Sequence, residues 1–290
     1  MSSKAGEINA LYLKEMIDAS DNSTLGRVRD LWWPSFQIDT DNDPWTALDR
    51  LDTYMNDGRQ GLRALANKHG ENSSNGDPDV HRQRANQFLK SNTGKMFERF
   101  VGLALAHCLW LVDAPYAVLG FRNENLVYCH GLRRRDFEVR FTFGDGTLKT
   151  AIDADIFAFN PTDPEADIYM MSVKSTLKDR FHNVAFWNML RRAAVSTDFP
   201  EISAENPLKL ERMKYVAICS DLAAEQPDFG TEKGARNMLR IDASLLDGAY
   251  VTASKAKGLP NDCTNHLGEI RQHAFYRYSC FYEHLSSSFQ

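Results

Sequence analysis

Apolar residues recur at helical spacing in the first third of the chain. The spacing holds over residues 5–18 and again over 44–67, where it includes Leu48, Leu51 and Leu62. The polar stretch at 37–44 that separates these two segments indicates a loop. The pattern therefore predicts a small helical N-terminal region over residues 1–80.

The segment 69-HGENSSNGDPD-79 is rich in Gly, Asn, Ser and Asp, which indicates a linker or an exposed loop. After it, the sequence TGKMFERFVGLALAHCLWL has the spacing of an amphipathic helix, and Thr93 is its predicted N-cap. We therefore place a domain boundary here, with a larger domain over residues 81–290.

The periodicity changes to that of strands after this helix. The segments FEVRFTF and TLKTAIDADIFAF lie on either side of 144-GDG-146, which predicts a hairpin. A further strand, IYMMSVK, follows the polar turn 160-NPTDPEAD-167. The chain then returns to a helical pattern up to about Ala194.

Two more apolar runs, YVAICS and GAYVTAS, have the composition of buried strands, and the helical segment GARNMLRIDASLL lies between them. Helices and strands that alternate in this way predict an α/β fold in which helices flank one central mixed β-sheet.

Composition restricts the function without assigning it. The chain has 290 residues, 43% hydrophobic and 25% charged, which is typical of a globular protein with one sizeable core. Its formal net charge of −5 excludes a global positive field. Binding to nucleic acid would therefore depend on locally clustered Lys and Arg.

The cysteines and the apolar runs bear on the compartment. Five cysteines, at 108, 129, 219, 263 and 280, form no CxxC pair, so we expect reduced thiols and no disulfide framework. No segment approaches about 18 uninterrupted apolar residues, as a membrane span would require. We expect a soluble, cytoplasmic protein that has no membrane partner.

Candidate chemistry begins with two polar pairs on successive predicted strands. Asp153 and Asp155 share one face of their strand, and Ser172 and Lys174 share one face of the next. If these strands pair about the 160–167 turn, Asp155 lies nearly opposite Ser172 and close to Lys174. We favour Asp155 over Asp153 because the apolar run IFAF follows it directly.

A carboxylate in that position suits Mg²⁺, which takes oxygen ligands and keeps several waters. Glu98 is the candidate for a second carboxylate ligand. It lies in line with Gly94 and Gly102 at four-residue spacing, where the helix backbone can approach a sheet closely. Both acids also have simpler interpretations, as a solvated strand residue and as a member of a surface pair.

These residues resemble the motif of the PD-(D/E)XK nuclease superfamily, in which an Asp on one strand precedes (D/E)-x-Lys on the next. This chain has 172-SVK-174, with Ser172 in place of the first acid. The same variant occurs in type II restriction endonucleases that cut CCGG-type sites. In that branch a short Arg-(Asp/Glu)-Arg cluster follows the lysine, and 178-KDR-180 is similar to it.

The resemblance implies a Mg²⁺-dependent, site-specific DNA endonuclease with a restriction-endonuclease-like fold. Asp155 and Glu98 would hold the metal with the Val173 backbone carbonyl, Asp153 being the fallback ligand, and Lys174 would orient the attacking water. Some members carry the displaced acid in the following helix, but 182-HNVAFWNMLRR-192 contains no acid, so Glu98 would have to supply it.

The resemblance assigns base recognition in double-stranded DNA to Lys178, Asp179 and Arg180, although an exposed helical turn would also explain this charged triplet. A palindromic site implies a homodimer, at least on DNA. Two alternatives remain at this point. One is a nuclease without sequence specificity, such as a repair enzyme, and the other is an inactive DNA-binding module, which the missing acid at Ser172 would explain.

Overall fold

The computed structural model describes residues 2–18, 23–120, 138–143, 146–151, 154–175, 181–205, 210–220, 229, 235–268 and 271–287. Its helices before the first strand are α1 (Lys4–Asp18), α2 (Thr24–Arg29), α3 (Trp33–Asn42), α4 (Pro44–Asp49), α5 (Leu51–Ser73) and α6 (Pro78–Leu111). Those after the first strand are α7 (Phe181–Val195), α8 (Ala235–Ser244) and α9 (Tyr278–Ser287).

Asx side chains and prolines set two of these helix starts. The Asp43 carboxylate accepts from the backbone N–H groups of Trp45 and Thr46 at 3.1 and 3.2 Å, and Pro44 opens α4. Asp77 similarly accepts from Asp79 N–H at 2.9 Å at the start of α6. A proline at the first helical position loses nothing, because its missing N–H would have no intrahelical partner.

Two helix boundaries predicted from the sequence are wrong. Thr93 is no N-cap but lies inside α6, where its hydroxyl donates to the Leu89 carbonyl at 2.8 Å. The polar stretch at 37–44 is helical as far as Asn42. In both places an aspartate, a preferred N-cap residue, marks the true start of the helix. It is Asp77 for α6 and Asp43 for α4.

The strands form one six-stranded and one three-stranded sheet within the described residues. They are β1 (Ala117–Gly120), β2 (Glu138–Phe143), β3 (Gly146–Ala151), β4 (Ile156–Phe159), β5 (Ile168–Lys174), β6 (Ile202–Glu205), β7 (Met213–Cys219), β8 (Gly248–Val251) and β9 (Tyr276–Arg277). The larger sheet has the order β1-β4-β5-β7-β8-β9. Its β1, β4 and β5 pair antiparallel and the remaining pairs are parallel, which confirms a mixed sheet flanked by helices.

The segment TLKTAIDADIFAF, predicted as one strand, is two strands in different sheets. Its first half, β3, pairs with β2 as the hairpin predicted about 144-GDG-146, and β6 completes that smaller sheet. Its second half, β4, is buried along its whole length between β1 and β5. A strand that is buried on both faces belongs in the interior of the larger sheet, and the chain bends at residue 155 to reach it.

The helices before β1 share one hydrophobic core with the larger sheet. Trp32 packs on Phe100 of α6 with ring centroids 4.5 Å apart, and both side chains belong to the same buried cluster as the strands. The domain boundary predicted between residues 80 and 81 lies in the first turn of α6. Buried residues from both sides of this boundary belong to one core. The division into two domains stays a prediction.

Two of the five cysteines form a disulfide, so the expectation of reduced thiols is wrong for them. Cys263 and Cys280 are joined, with their Cα atoms 5.1 Å apart. Cys108 and Cys219 are reduced and buried, and Cys129 lies outside the described residues. Spacing alone did not show this pair, because residue 263 in a loop and residue 280 in α9 meet only in the folded chain.

Helix α6 is 34 residues long, but polar and charged residues interrupt its apolar positions. Among the helices that the structure describes, none is long and apolar enough to cross a membrane.

Asn9 fastens α1 to the outer edge of the six-stranded sheet. Its side chain is fully buried; the amide nitrogen donates to the Tyr116 carbonyl at 3.0 Å, and the amide oxygen accepts from Val118 N–H at 2.8 Å. Among the strands of the described residues, β1 is at the edge of the sheet, and none of them pairs with these backbone groups on that side. The side chain thus satisfies two buried backbone groups at once.

We expect Asn9→Ala to lower the free energy of unfolding by about 2–4 kcal/mol, since it leaves two buried backbone groups unpaired. Urea denaturation measures this. Asn42→Ala is the matched control, because Asn42 makes a similar bond to the Ile38 carbonyl at 3.0 Å but is exposed. Equal effects of the two substitutions would contradict the role given to Asn9.

Two histidines pack together where α9 meets the sheet: His266 is buried, and His284 of α9 is half-buried. His266 Nδ1 is 2.6 Å from the Tyr250 hydroxyl, and its ring centroid is 5.7 Å from that of His284. Burial, followed by the charges of His284 and Arg271, lowers the pKa of His266 to about 4. Burial also lowers the pKa of His284. The unfolded chain therefore binds more protons than the folded chain over this pH range, and stability falls as the pH drops from 6.5 towards 4.

Between pH 7 and pH 4.5, we expect the free energy of unfolding to fall by about 2 kcal/mol less in His266→Gln than in the unsubstituted protein. The substitution removes a histidine that gains a proton in the unfolded chain but resists protonation in the folded one. Urea denaturation at both pH values measures the difference. The control His69→Gln, at an exposed position of α5, should leave the pH dependence unchanged. The same pH dependence in all three proteins would refute the assignment.

Candidate functional site

The antiparallel pair β4–β5 brings the candidate residues together. Ile156 lies opposite Met171 and Ala158 opposite Tyr169, so one further step along the ladder sets Asp155 beside Ser172. Asp155 occupies the bend before β4, and its N–H donates to the Met171 carbonyl at 2.9 Å. The pairing predicted about the 160–167 turn is therefore confirmed, although Asp155 precedes its strand rather than lying within it.

Asp155 and Lys174 form an ion pair at the end of β5. Lys174 Nζ donates to Asp155 Oδ2 at 2.8 Å, and the Val173 N–H donates to the same oxygen at 2.8 Å. The side chains of Asp155 and Lys174 are only 16% and 12% exposed, so little water screens the pair. Removal of either partner would leave a largely buried charge uncompensated, which is costly.

Glu98 reaches the same site from α6. Glu98 and Asp155 line one pocket, which we call the α6–β4 pocket. Its walls come from α1, α6, the end of β1 and the start of β4, and the lining residues are Tyr12, Met16, Lys95, Glu98, Arg99, Gly120, Asp155 and Ile156. Lys174 is not part of this lining but contacts Asp155. A helix, a bend and a strand end thus bring two carboxylates and an ammonium to one place.

A glycine lets α6 approach α1 and the sheet at this point. A Cβ at Gly102 would lie 2.5 Å from the Tyr12 hydroxyl and 3.1 Å from Ile156 Cδ1, so only a glycine fits without a shift. A Cβ at Gly94 would meet nothing within 4 Å. The predicted close approach of α6 is therefore confirmed at Gly102 and wrong at Gly94.

Tyr12 is the buried wall of the pocket. Burial raises the pKa of its hydroxyl strongly, and the negative charge of Glu98 raises it further, against the opposing effect of Arg99. The hydroxyl therefore stays protonated, and Tyr12 shares the pocket lining with Glu98 and Arg99. Because Asn9 clamps α1 to β1, Tyr12 is held in this position.

Ser172 is buried beneath the ion pair. It is 1% exposed, and its Oγ has no hydrogen-bond partner among the described residues. Neighbouring strands cover it on both sides, because β5 lies between β4 and β7. The serine hydroxyl is thus an uncharged group at the position that an acid occupies in the (D/E)-x-Lys motif.

The residues of the pocket fit a hard cation with a small number of protein ligands. Among the described residues, no group of three or more His, Cys, Asp and Glu side chains could hold a metal ion. Two carboxylates do line the pocket, and both bonds to Asp155 end on Oδ2, which leaves Oδ1 for a ligand. Mg²⁺ binds through one or two carboxylates and completes its shell with water and substrate phosphate.

Other predicted site residues fall outside the part of the chain that the structure describes. These are Asp153, the fallback ligand, and the predicted base-reading residues Lys178, Asp179 and Arg180. Three pocket residues, Tyr12, Lys95 and Arg99, were not predicted. Glu98 and Arg99 follow Lys95 by three and four residues, so the sequence contained that signal. Nothing in the sequence near Tyr12 relates it to α6.

Comparisons with known proteins assign no family to the chain. No protein-family model matches it, and no curated protein matches it.

We expect Gly102→Ala and Gly94→Ala, two identical substitutions in α6, to have opposite effects. Gly94→Ala should raise the free energy of unfolding by about 0.5–1 kcal/mol, because alanine favours a helix and meets open space. Gly102→Ala should lower it by about 1–2 kcal/mol, because the new methyl group displaces Tyr12 and Ile156. Urea denaturation of both variants decides this; stabilisation by Gly102→Ala would disprove the close approach.

Proposed function

We propose that this protein is a Mg²⁺-dependent endonuclease that cuts double-stranded DNA at a short palindromic site with a CCGG-type core. The single observation that carries the proposal is the meeting of Glu98, Asp155 and Lys174, from three separate elements, around the α6–β4 pocket. Two carboxylates and a lysine are the groups that metal-assisted hydrolysis of a phosphodiester requires.

Asp155 and Glu98 would hold the magnesium ion, which supplies Lewis-acid polarisation of the phosphate and of a bound water. The Val173 carbonyl would be a further ligand. It points to the same strand edge as the Val173 N–H, which donates to Asp155. Asp153 stays the fallback ligand, from the sequence alone.

Lys174 would position the attacking water and offset the charge that develops on the phosphate. An ammonium has three donors, and the bond to Asp155 occupies one of them. In the hydrolysis, a bond forms between the water oxygen and phosphorus while the bond from phosphorus to the 3′-oxygen breaks. The attacking water loses a proton to solvent, and the 3′-oxygen leaves as a hydroxyl after taking a proton from solvent. The 5′-phosphate stays on the other fragment. The low exposure of Lys174 strengthens its electrostatic effect, because the surroundings screen it weakly.

Ser172 would be the uncharged occupant of the motif's acidic position. A carboxylate buried there without a metal ligand or a donor would carry a large desolvation cost, whereas a hydroxyl carries a much smaller one. Glu98 would then provide the second negative charge from α6 rather than from β5.

Sequence specificity is the part of the proposal that rests on the resemblance. Lys178 and Arg180 would donate to guanine O6 and N7, and Asp179 would accept from cytosine N4. These residues begin four positions after Lys174, so cutting and reading would be closely linked along the chain. Recognition of a palindrome would require two copies related by a two-fold axis.

We expect Lys174→Met to reduce Mg²⁺-dependent cleavage of plasmid DNA by at least about 100-fold, since it removes the charge that stabilises the transition state. Binding of a duplex in Ca²⁺ should be largely unchanged. Lys214→Met is the matched control. Lys214 is also a strand lysine near a carboxylate, with its Nζ 3.7 Å from Asp167 Oδ1. It lies opposite Tyr169, five residues before Lys174 on β5, and is therefore roughly 16 Å from the proposed site.

The fragments produced by the unsubstituted protein distinguish the alternatives. Discrete fragments that share a CCGG-type end support the proposal. A smear indicates a nuclease without sequence specificity, and intact plasmid together with a gel shift indicates an inactive DNA-binding module. Strong residual cleavage by Lys174→Met would remove the assigned role of the lysine.

A further inference from the structure

Two cations of α6 flank Glu98 on one face of the helix. Glu98 and Arg99 come three and four residues after Lys95, about one helical turn away, and all three side chains line the α6–β4 pocket. Like charges four residues apart on a helix repel each other. The Glu98 carboxylate lies in the same lining and offsets part of this repulsion, and a bound anion would offset more of it.

The site as a whole carries an excess of positive charge. Lys95, Arg99 and Lys174 contribute three cations, against the two carboxylates of Glu98 and Asp155. A divalent cation at the carboxylates would increase this excess. The protein has a formal net charge of −5, so the site, with Lys174 counted, has the opposite sign to the chain as a whole. A local reversal of this kind concentrates anionic ligands at the site.

The two cations lie at different depths. Lys95 is exposed, whereas Arg99 is half-buried. Arg99 and Tyr12 line the same pocket, and the charge of Arg99 lowers the pKa of the Tyr12 hydroxyl against the larger effect of burial. An anion that enters from solvent would meet Lys95 first and Arg99 next. A guanidinium presents paired donors that match two phosphate oxygens.

We propose that Lys95 and Arg99 form a subsite that binds a backbone phosphate of the DNA, next to the phosphate that is cut. This inference rests on the proposed nuclease function but concerns binding rather than cleavage. Phosphate contacts carry no sequence information, so the subsite should act equally on every duplex. It would give an acidic protein the local attraction for DNA that its composition lacks.

The test is the salt dependence of duplex binding in Ca²⁺, measured by fluorescence anisotropy on the full chain. Each phosphate contact contributes about 0.9 to the slope of log affinity against log salt concentration. We expect Lys95→Met and Arg99→Met each to reduce the slope by about 0.9, and the double variant by about twice as much. The reductions should be equal for duplexes with and without a CCGG-type sequence.

Two further variants serve as controls. Lys214→Met makes the same change in net charge at a distant position and should leave the slope unchanged. Arg99→Lys keeps the charge and should retain most of the slope, which distinguishes a phosphate contact from a role of Arg99 in folding. Unaltered slopes in both Met variants, or no binding of DNA by the unsubstituted protein, would overturn the subsite.

Cleavage measured on the same proteins separates the two proposals. If the unsubstituted protein binds DNA without cutting it and the Met variants lose slope, the subsite stands and the nuclease proposal fails. If the protein cuts DNA and the slopes do not change, the nuclease proposal stands and the subsite fails.

Discussion

The contact between Asp155 and Lys174 is the interaction on which the site depends. It joins the bend before β4 to the end of β5, and it forms only in one register of this antiparallel pair. A slip by one residue would turn Lys174 to the opposite face of the sheet. The connecting turn helps to hold the register. The Asn160 side chain accepts from Thr162 N–H at 3.0 Å, and Asp163 accepts from Glu165 N–H at 2.9 Å.

A strand pair alone would offer one carboxylate and one amine. The helical layer completes the site, because α6 carries Glu98, Lys95 and Arg99 and is brought close to the sheet at Gly102. Helix α1, held at the sheet edge by Asn9, closes the pocket with Tyr12. The region before residue 80, which the sequence suggested was a separate unit, thus contributes a wall of the candidate site.

The predictions from sequence failed where two patterns competed. The run TLKTAIDADIFAF has strand propensity throughout, yet its halves belong to different sheets. The first half pairs with β2 as a hairpin, whereas the second half is fully buried in the interior of the larger sheet. Thr93 precedes an apolar stretch and resembles an N-cap, but helix α6 had already begun at Pro78 with a better cap. The disulfide between Cys263 and Cys280 gave no spacing signal at all.

Short-range periodicity determined the strands β5, β7 and β8, the fold class and the juxtaposition of Asp155 with Lys174. Those features depend on short apolar runs and on a turn of eight residues, both of which are local properties of the chain. The sequence made Glu98 a candidate partner of Asp155, but only the tertiary structure decided that the two share a pocket and that Tyr12 forms its inner wall. Such contacts join residues more than 50 positions apart, and packing between a helix and a sheet, rather than any local preference, selects them.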